Sequence, residues 1–255
     1  MRHRFLNWPV FVVTLGLVGA GASYAGGKVG RQYEHNRMCC QTPQWPNIGL
    51  SIRELLGLTR FPSQIGQDKW VLYAVFPGVT DGFFLDVGSA DGTESSNTQA
   101  LEQRGWRGIC IDPFPTNMEG RTCEMLKEVV FSEAGRMVSF QASGGLGGVT
   151  ETLGAWKDKA MQAPTVQFTT TTLADVLQRT KAPPLIHFMS LDIEGAELEA
   201  LKAFPFETHR IGALAVEHND EEPKRSQIRA LLASHGYVRS HTWQQDDFYV
   251  RARRR

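Results

Sequence analysis

Gly82-Phe83-Phe84-Leu85-Asp86-Val87-Gly88-Ser89-Ala90-Asp91-Gly92 decides the fold. A continuous apolar run ends in an acid and a glycine. Such a run suits a strand buried on both faces of a parallel sheet, because alternation is lost when helices cover both sides. Gly88 and Gly92 permit a tight turn and a close backbone approach to a ligand. The residues after Gly92 read as a helix, whose first N–H groups would be free to meet a bound group. A dinucleotide fingerprint would place glycines as G-x-G-x-x-G. This chain has D-x-G-x-x-x-G with an acid in front. An acid there repels a pyrophosphate and suits a cationic ligand, and S-adenosylmethionine, with its sulfonium and α-ammonium, has that charge.

Working outward, the same pattern recurs. Gly108–Asp112 is a second apolar run ending in an acid, with Asp112 26 residues beyond Asp86. A carboxylate at that point suits the two hydroxyls of a ribose. Phe114 follows, placed to contact an adenine face. Leu185–Leu191 runs into Asp192, and Ile211–Val216 into Glu217. Helices are predicted over Gln64–Val75, Glu94–Arg104, Leu173–Arg179, Gly195–Phe204 and Pro223–His235. Shorter strands are predicted at Val129–Phe131, Met137–Phe140 and Thr165–Thr171. Tyr237–His241 and Phe248–Arg251 read as closing antiparallel strands. Alternating strands and helices give an α/β fold with a mainly parallel sheet. Ligands of such sheets bind outside the carboxyl ends of the strands, where Asp86, Asp112, Asp192 and Glu217 all fall. The competing reading is that each acid caps the helix after it.

The stretch Asp192-Ile193-Glu194-Gly195-Ala196-Glu197 is the candidate reacting end. Activating a hydroxyl or similar acceptor needs a base near it, and Asp192, Glu194 and His218 are the candidate catalytic residues. On a helix, Glu194 and Glu197 would share a face. Three clustered carboxylates also suit a divalent cation with oxygen ligands, but no metal is assigned. His187, inside an apolar strand, reads as a core histidine with a partner. Ser143–Gly148 reads as a glycine-rich flap over the cleft. Cys110 sits in an apolar run and Cys123 in a predicted helix, and neither has metal-ligand spacing.

The 255 residues are 42% hydrophobic and 21% charged, with 27 basic and 27 acidic side chains. That composition excludes a disordered or fibrous chain, and zero net charge gives no global field for nucleic acid. The charge is uneven. Residues 1–37 carry Arg2, Arg4, Lys28, Arg31 and Arg37 against Glu34 alone, and Phe5 to Gly27 holds no charged side chain. A helix over that stretch would be roughly 30 Å long, enough to cross a bilayer. Three readings compete: an uncleaved single-pass membrane anchor, a cleaved secretory signal, and an organellar (mitochondrial) targeting segment. Residues 38–60 read as a linker containing Cys39 and Cys40, and 61–255 as the folded domain.

Taken together, these stretches resemble the FkbM family of S-adenosylmethionine-dependent methyltransferases. The resemblance is carried by Ser63–Asp68, Phe84–Gly92, Ser96-Asn97-Thr98, Gly105–Pro113, Thr172–Leu177, Ser190–Glu197 and Asp246–Val250, in that order, across about residues 61–251. Ala90 stands where the family often has Asn. The resemblance implies a Rossmann-like class I methyltransferase fold: a seven-stranded, mainly parallel sheet whose last strand is antiparallel. It implies cofactor binding by Asp86, Gly88, Ser89, Gly92, Asp112 and Phe114. It also implies O-methylation of a hydroxyl on a sugar, polyketide or other small molecule; the expected membrane tether lies outside the resemblance and would suit a lipid-linked acceptor. The alternative is a non-catalytic accessory subunit of a membrane complex that keeps the fold.

Overall fold

The computed structural model describes residues 60–252, so the expected anchor and the linker up to residue 59 lie outside the described residues. Among the described residues, no helix is long and apolar enough to cross a membrane.

The chain opens with α1 (Gln67–Lys69), which runs into a π-helical turn over Trp70–Val75. It continues with β1 (Phe83–Val87), α2 (Gln99–Glu102), β2 (Arg107–Ile111), β3 (Glu124–Leu126), β4 (Val129–Val130) and β5 (Met137–Gln141). Then come α3 (Lys157–Ala160), β6 (Thr165–Thr171), α4 (Leu173–Arg179), β7 (Leu185–Leu191) and α5 (Glu197–Lys202). The last elements are β8 (Arg210–Glu217), α6 (Lys224–Ser234), β9 (Tyr237–Trp243) and β10 (Asp246–Arg251).

Seven strands form one sheet in the order β3-β2-β1-β7-β8-β10-β9. β1, β2, β3, β7 and β8 are parallel, and β10 runs antiparallel to both β8 and β9. This mixed, mostly parallel sheet fits an α/β methyltransferase-like fold. A smaller sheet, β4-β6-β5, lies beside it.

The pleat explains why β1 reads as an unbroken apolar run. Phe84, Cys110 and Phe188 face one layer with Trp70, Leu101, Trp106 and Phe248. Leu85, Ile109 and Met189 face the other with Leu177, Leu201, Ile228 and Leu232. Both faces are covered, so every position of the strand after Phe83 is buried. His187 is half-buried on the first layer, edge-on to Phe76 and Trp106, and its Nδ1 accepts the Phe83 N–H at 3.1 Å. It is a core histidine with a partner.

Three expectations are corrected by local side-chain chemistry. The helix predicted over Glu94–Arg104 shrinks to α2. Asp91 Oδ1 takes the N–H groups of Thr93 and Glu94, Ser95 adopts φ 59°, and Ser96 Oγ takes the Gln99 N–H. Those bonds give the backbone an alternative to a helical ladder. Gly92 is therefore followed by turns and not by a helix N-terminus. The helix predicted from Gly195 starts later, at Glu197, because Glu194 (φ 52°) and Gly195 (φ 116°) are left-handed. Cys123 lies in a bend before β3, not in a helix, and is disulfide-bonded to Cys110.

Candidate functional site

The strand order reverses between β1 and β7, and ligands of open α/β sheets bind at such a point. A cavity of about 400 Å³ opens there, walled by the carboxyl ends of β1, β2 and β7 and by the loops after them. Asp86, Gly88, Ser89, Asp112 and Phe114 line it on one side, and Asp192 and Glu194 on the other. Gly144, Gly145 and Gly147 of the glycine-rich loop line it too. Its charged lining residues are all acids.

Gly88 has φ 88°, and its N–H donates to Ile111 O at 2.8 Å. A Cβ there would stand 1.6 Å from Asp192 O. The bare backbone of Gly88 thus lets the β1 and β7 loops touch, which joins the two halves of the site. Gly92 does not line the cavity: a Cβ there would meet Asn117 O at 2.6 Å. The missing Cβ at both positions makes room for the protein's own chain, and Gly88, unlike Gly92, also lines the cavity.

Asp112 is fixed by its neighbours. Its Oδ2 accepts the Ala90 N–H at 3.0 Å and its Oδ1 the Phe114 N–H at 2.7 Å. Burial pushes its carboxyl above the usual range, against those two bonds. Each oxygen retains a lone pair for a further donor. Phe114 is 41% exposed, with its ring edge-on to Phe168 at 5.5 Å between centroids. Ser89 is buried, and its N–H also donates to Ile111 O.

Asp86 is buried beneath the loop and accepts the Thr98 hydroxyl at 2.5 Å. Burial pushes its carboxyl up to about 6, against that bond and the charge of Arg121. Arg121 ties this wall together. It donates to Gly92 O, Ser96 Oγ and Thr98 Oγ1, and pairs with Glu102 at 2.5 Å with both side chains almost wholly buried.

At the β7–β8 side of the cavity, Asp192 follows β7 and Glu194 sits in the left-handed turn after it. Glu217, the last residue of β8, has a carboxylate oxygen within 4.8 Å of one from each of them. Burial, and then the Glu217 charge, push Asp192 well above the carboxylate range. Burial and the Asp192 charge push Glu194 up to about 8. Glu217 is likewise pushed up to about 8 by burial and by the charge of Glu194, among others. A carboxyl that changes charge near neutral pH is suited to moving a proton. Glu197 does not share a face with Glu194. Its Oε1 takes the N–H groups of Ile193 and Gly195 at 3.0 and 2.9 Å, which holds the turn that presents Glu194.

His218 is not among the cavity-lining residues. It is buried, its Nδ1 accepts the Asp220 N–H at 2.9 Å, and its Nε2 lies 3.8 Å from Asp247 Oδ1. Asp247 in turn is held by Arg225 and Arg239. The structure places His218 in a charge network next to β10, which corrects the expectation that it faces the cleft.

Sequence reasoning missed two residues. Asp246 pairs across the ladder with Glu217, and its Oδ2 accepts the Gln67 amide at 2.9 Å. Burial pushes Asp246 up to about 6. Because β10 is antiparallel, its first residue lies at the edge where the parallel strands end. The paired acids Asp246-Asp247 ahead of an apolar run were the available signal. The second is Asn97, which lines the cavity with its Nδ2 bonded to Ser190 Oγ at 2.9 Å and its buried Oδ1 without a partner.

A family model described as "Methyltransferase FkbM domain" matches residues 86–239. Neither the curated proteins nor the solved structures contain a match.

Proposed function

The chain belongs to the FkbM methyltransferase family, and from that premise we propose that it methylates a hydroxyl with S-adenosylmethionine as the donor. One observation carries the choice of donor: the cavity at the strand-order reversal has acids as its only charged lining residues. A pyrophosphate cofactor would be repelled there, whereas a sulfonium and an ammonium are attracted. A volume of about 400 Å³ is within the range of small-molecule sites.

Asp112 would accept the ribose hydroxyls, its orientation already fixed by two backbone N–H groups. Phe114 would contact the adenine. Asp86, Gly88 and Ser89 would form the floor beneath the amino-acid end. S-adenosylmethionine supplies a methyl group on a positively charged sulfur. Glu194 and Asp192 stand where an acceptor hydroxyl would enter, and Glu194 is suited to take its proton as the new bond forms. Gly92 and His218 have supporting roles, one in the loop behind the wall and the other in the network around Asp247.

The acceptor we propose is a sugar, lipid-linked or other small molecule bearing a hydroxyl. We further propose that residues 1–37 tether the enzyme to a membrane, with secretion or organellar import as the alternatives for that segment, and that no nucleic acid is involved.

The test is calorimetric titration of S-adenosylmethionine into the full-length chain, its Asp112→Ala variant and its Gly88→Val variant. Micromolar binding by the wild type, weakened at least about tenfold by Asp112→Ala, would bear out the reading; a loss of about 1.4 kcal/mol is a factor of ten. A folded wild type that takes up no donor would sink it and would favour an accessory subunit.

A further inference from the structure

We propose that Asp192, Glu194 and Glu217 form a binding site for a hard divalent cation at the β7–β8 side of the cavity. Each offers a carboxylate oxygen, and the three oxygens lie within 4.8 Å of one another. Opposite ligands of Ca²⁺ stand about 4.6–5.2 Å apart and those of Mg²⁺ about 4.0–4.2 Å, so the set fits the larger ion as it stands and the smaller one after a slight closure. An all-carboxylate donor set selects Mg²⁺, Ca²⁺ or Mn²⁺ over softer metals.

A cluster of acids alone would not carry this. The second observation is Glu217. It is 7% exposed, and beyond the facing Asp192 carboxyl its buried Oε2 has no hydrogen-bond partner. Buried carboxylate oxygens are normally satisfied by donors, so one that meets only other acids marks a missing positive group. The protein does not supply that group as an ion pair. Lys224 is the nearby cation, and it is engaged elsewhere: 2.6 Å from Glu221, 3.1 Å from Gly195 O and 4.0 Å from Glu197. Among the described residues, no Lys or Arg forms an ion pair with any of the three acids.

The geometry also decides which acid is the third ligand. Spacing along the chain points to Glu197, but its carboxylate is used by the backbone of the turn. Glu217 arrives from the neighbouring strand instead. Asp192 and Glu194 line the cavity and Glu217 stands behind them, so open coordination positions would face the acceptor. The other acid-containing cluster among the described residues, Glu102 with Cys110 and Cys123, offers no thiolate because its cysteines are bonded to each other.

Mn²⁺ serves as the probe, followed by electron paramagnetic resonance on metal-free full-length protein. We expect the six-line signal of free Mn²⁺ to disappear up to one equivalent. Glu217→Gln should weaken binding by more than the about 10–100-fold that outer-shell changes cost. Glu221→Gln, which removes an equal charge nearby, should leave it within about twofold, since only diffuse attraction is reduced. Persistence of the full free signal with wild-type protein at one equivalent of Mn²⁺ would overturn the site, and so would equal weakening in both variants. S-adenosylmethionine is titrated into the same metal-free sample. Donor binding without Mn²⁺ binding overturns the cation site alone, and the reverse outcome overturns the donor assignment alone.

Discussion

Burial separates Asp86 from an ordinary aspartate. Its carboxyl is pushed up to about 6 from an ordinary 3.8, so between those values the folded chain holds a proton that the unfolded chain has released. Its contribution to stability therefore falls as pH rises from about 4 to about 6 and is level above that. Asp86→Asn removes this component. We expect urea unfolding at about pH 4 and about pH 7 to show the variant gaining on the wild type at the higher pH, by on the order of 3 kcal/mol at most. An unchanged difference between the two pH values would show that the carboxyl titrates normally. The same ionisation should strengthen binding of a cationic donor as pH rises through about 6, which calorimetry at both pH values reads. At this scale the identity of Asp86, Asp112 and Asp192 was legible in the sequence, because an acid ending an apolar run is conspicuous. The reason for Gly88 and Gly92 was not legible: what each missing Cβ avoids is a carbonyl on a segment remote in the chain.

Among the elements, β6, α4 and β7 fall within the bounds that patterning predicts, Thr165–Thr171, Leu173–Arg179 and Leu185–Leu191. β7 is a near-continuous apolar run ending at an acid, and Thr172 caps α4 by accepting the Asp175 N–H. The segment after Gly92 departs most, because its backbone groups are taken by Asp91 and Ser96 side chains and by Arg121, which reaches it from another loop. Arg121 and Glu102 are 2% and 6% exposed, so removing one leaves the other charge buried. We expect Arg121→Ala to cost about 3–5 kcal/mol in denaturant unfolding. A loss below about 1 kcal/mol, as for a surface pair, would show that water reaches Glu102. Because Arg121 also holds Gly92 O and Thr98 Oγ1, the variant should bind the donor more weakly at temperatures where it is still folded.

For the molecule as a whole, the order β3-β2-β1-β7-β8-β10-β9 gathers acids from distant parts of the chain at one edge. Most of that edge was legible, since parallel strands all point their last residues the same way. Asp246 was not, since an antiparallel strand contributes its first residue there instead. The pairing of Cys110 with Cys123 was also hidden, because β2 is buried between β1 and β3 and nothing in the spacing shows that β3 returns beside it. The basic, uncharged-cored segment of residues 1–37 lies outside the described residues, and its proposed role is tested on the full chain. We expect the protein to stay in the membrane pellet after alkaline carbonate washing; release into the supernatant would rule out a spanning anchor. The disulfide has one more consequence. It closes the stretch from Cys110 to Cys123 into a covalent ring that contains Asp112, Phe114 and Arg121. A protease that cleaves after the exposed Glu119 therefore nicks the chain without parting it. The two pieces should migrate as one until a reductant is added, and the wall that holds Asp112 would survive a cut that severs the polypeptide.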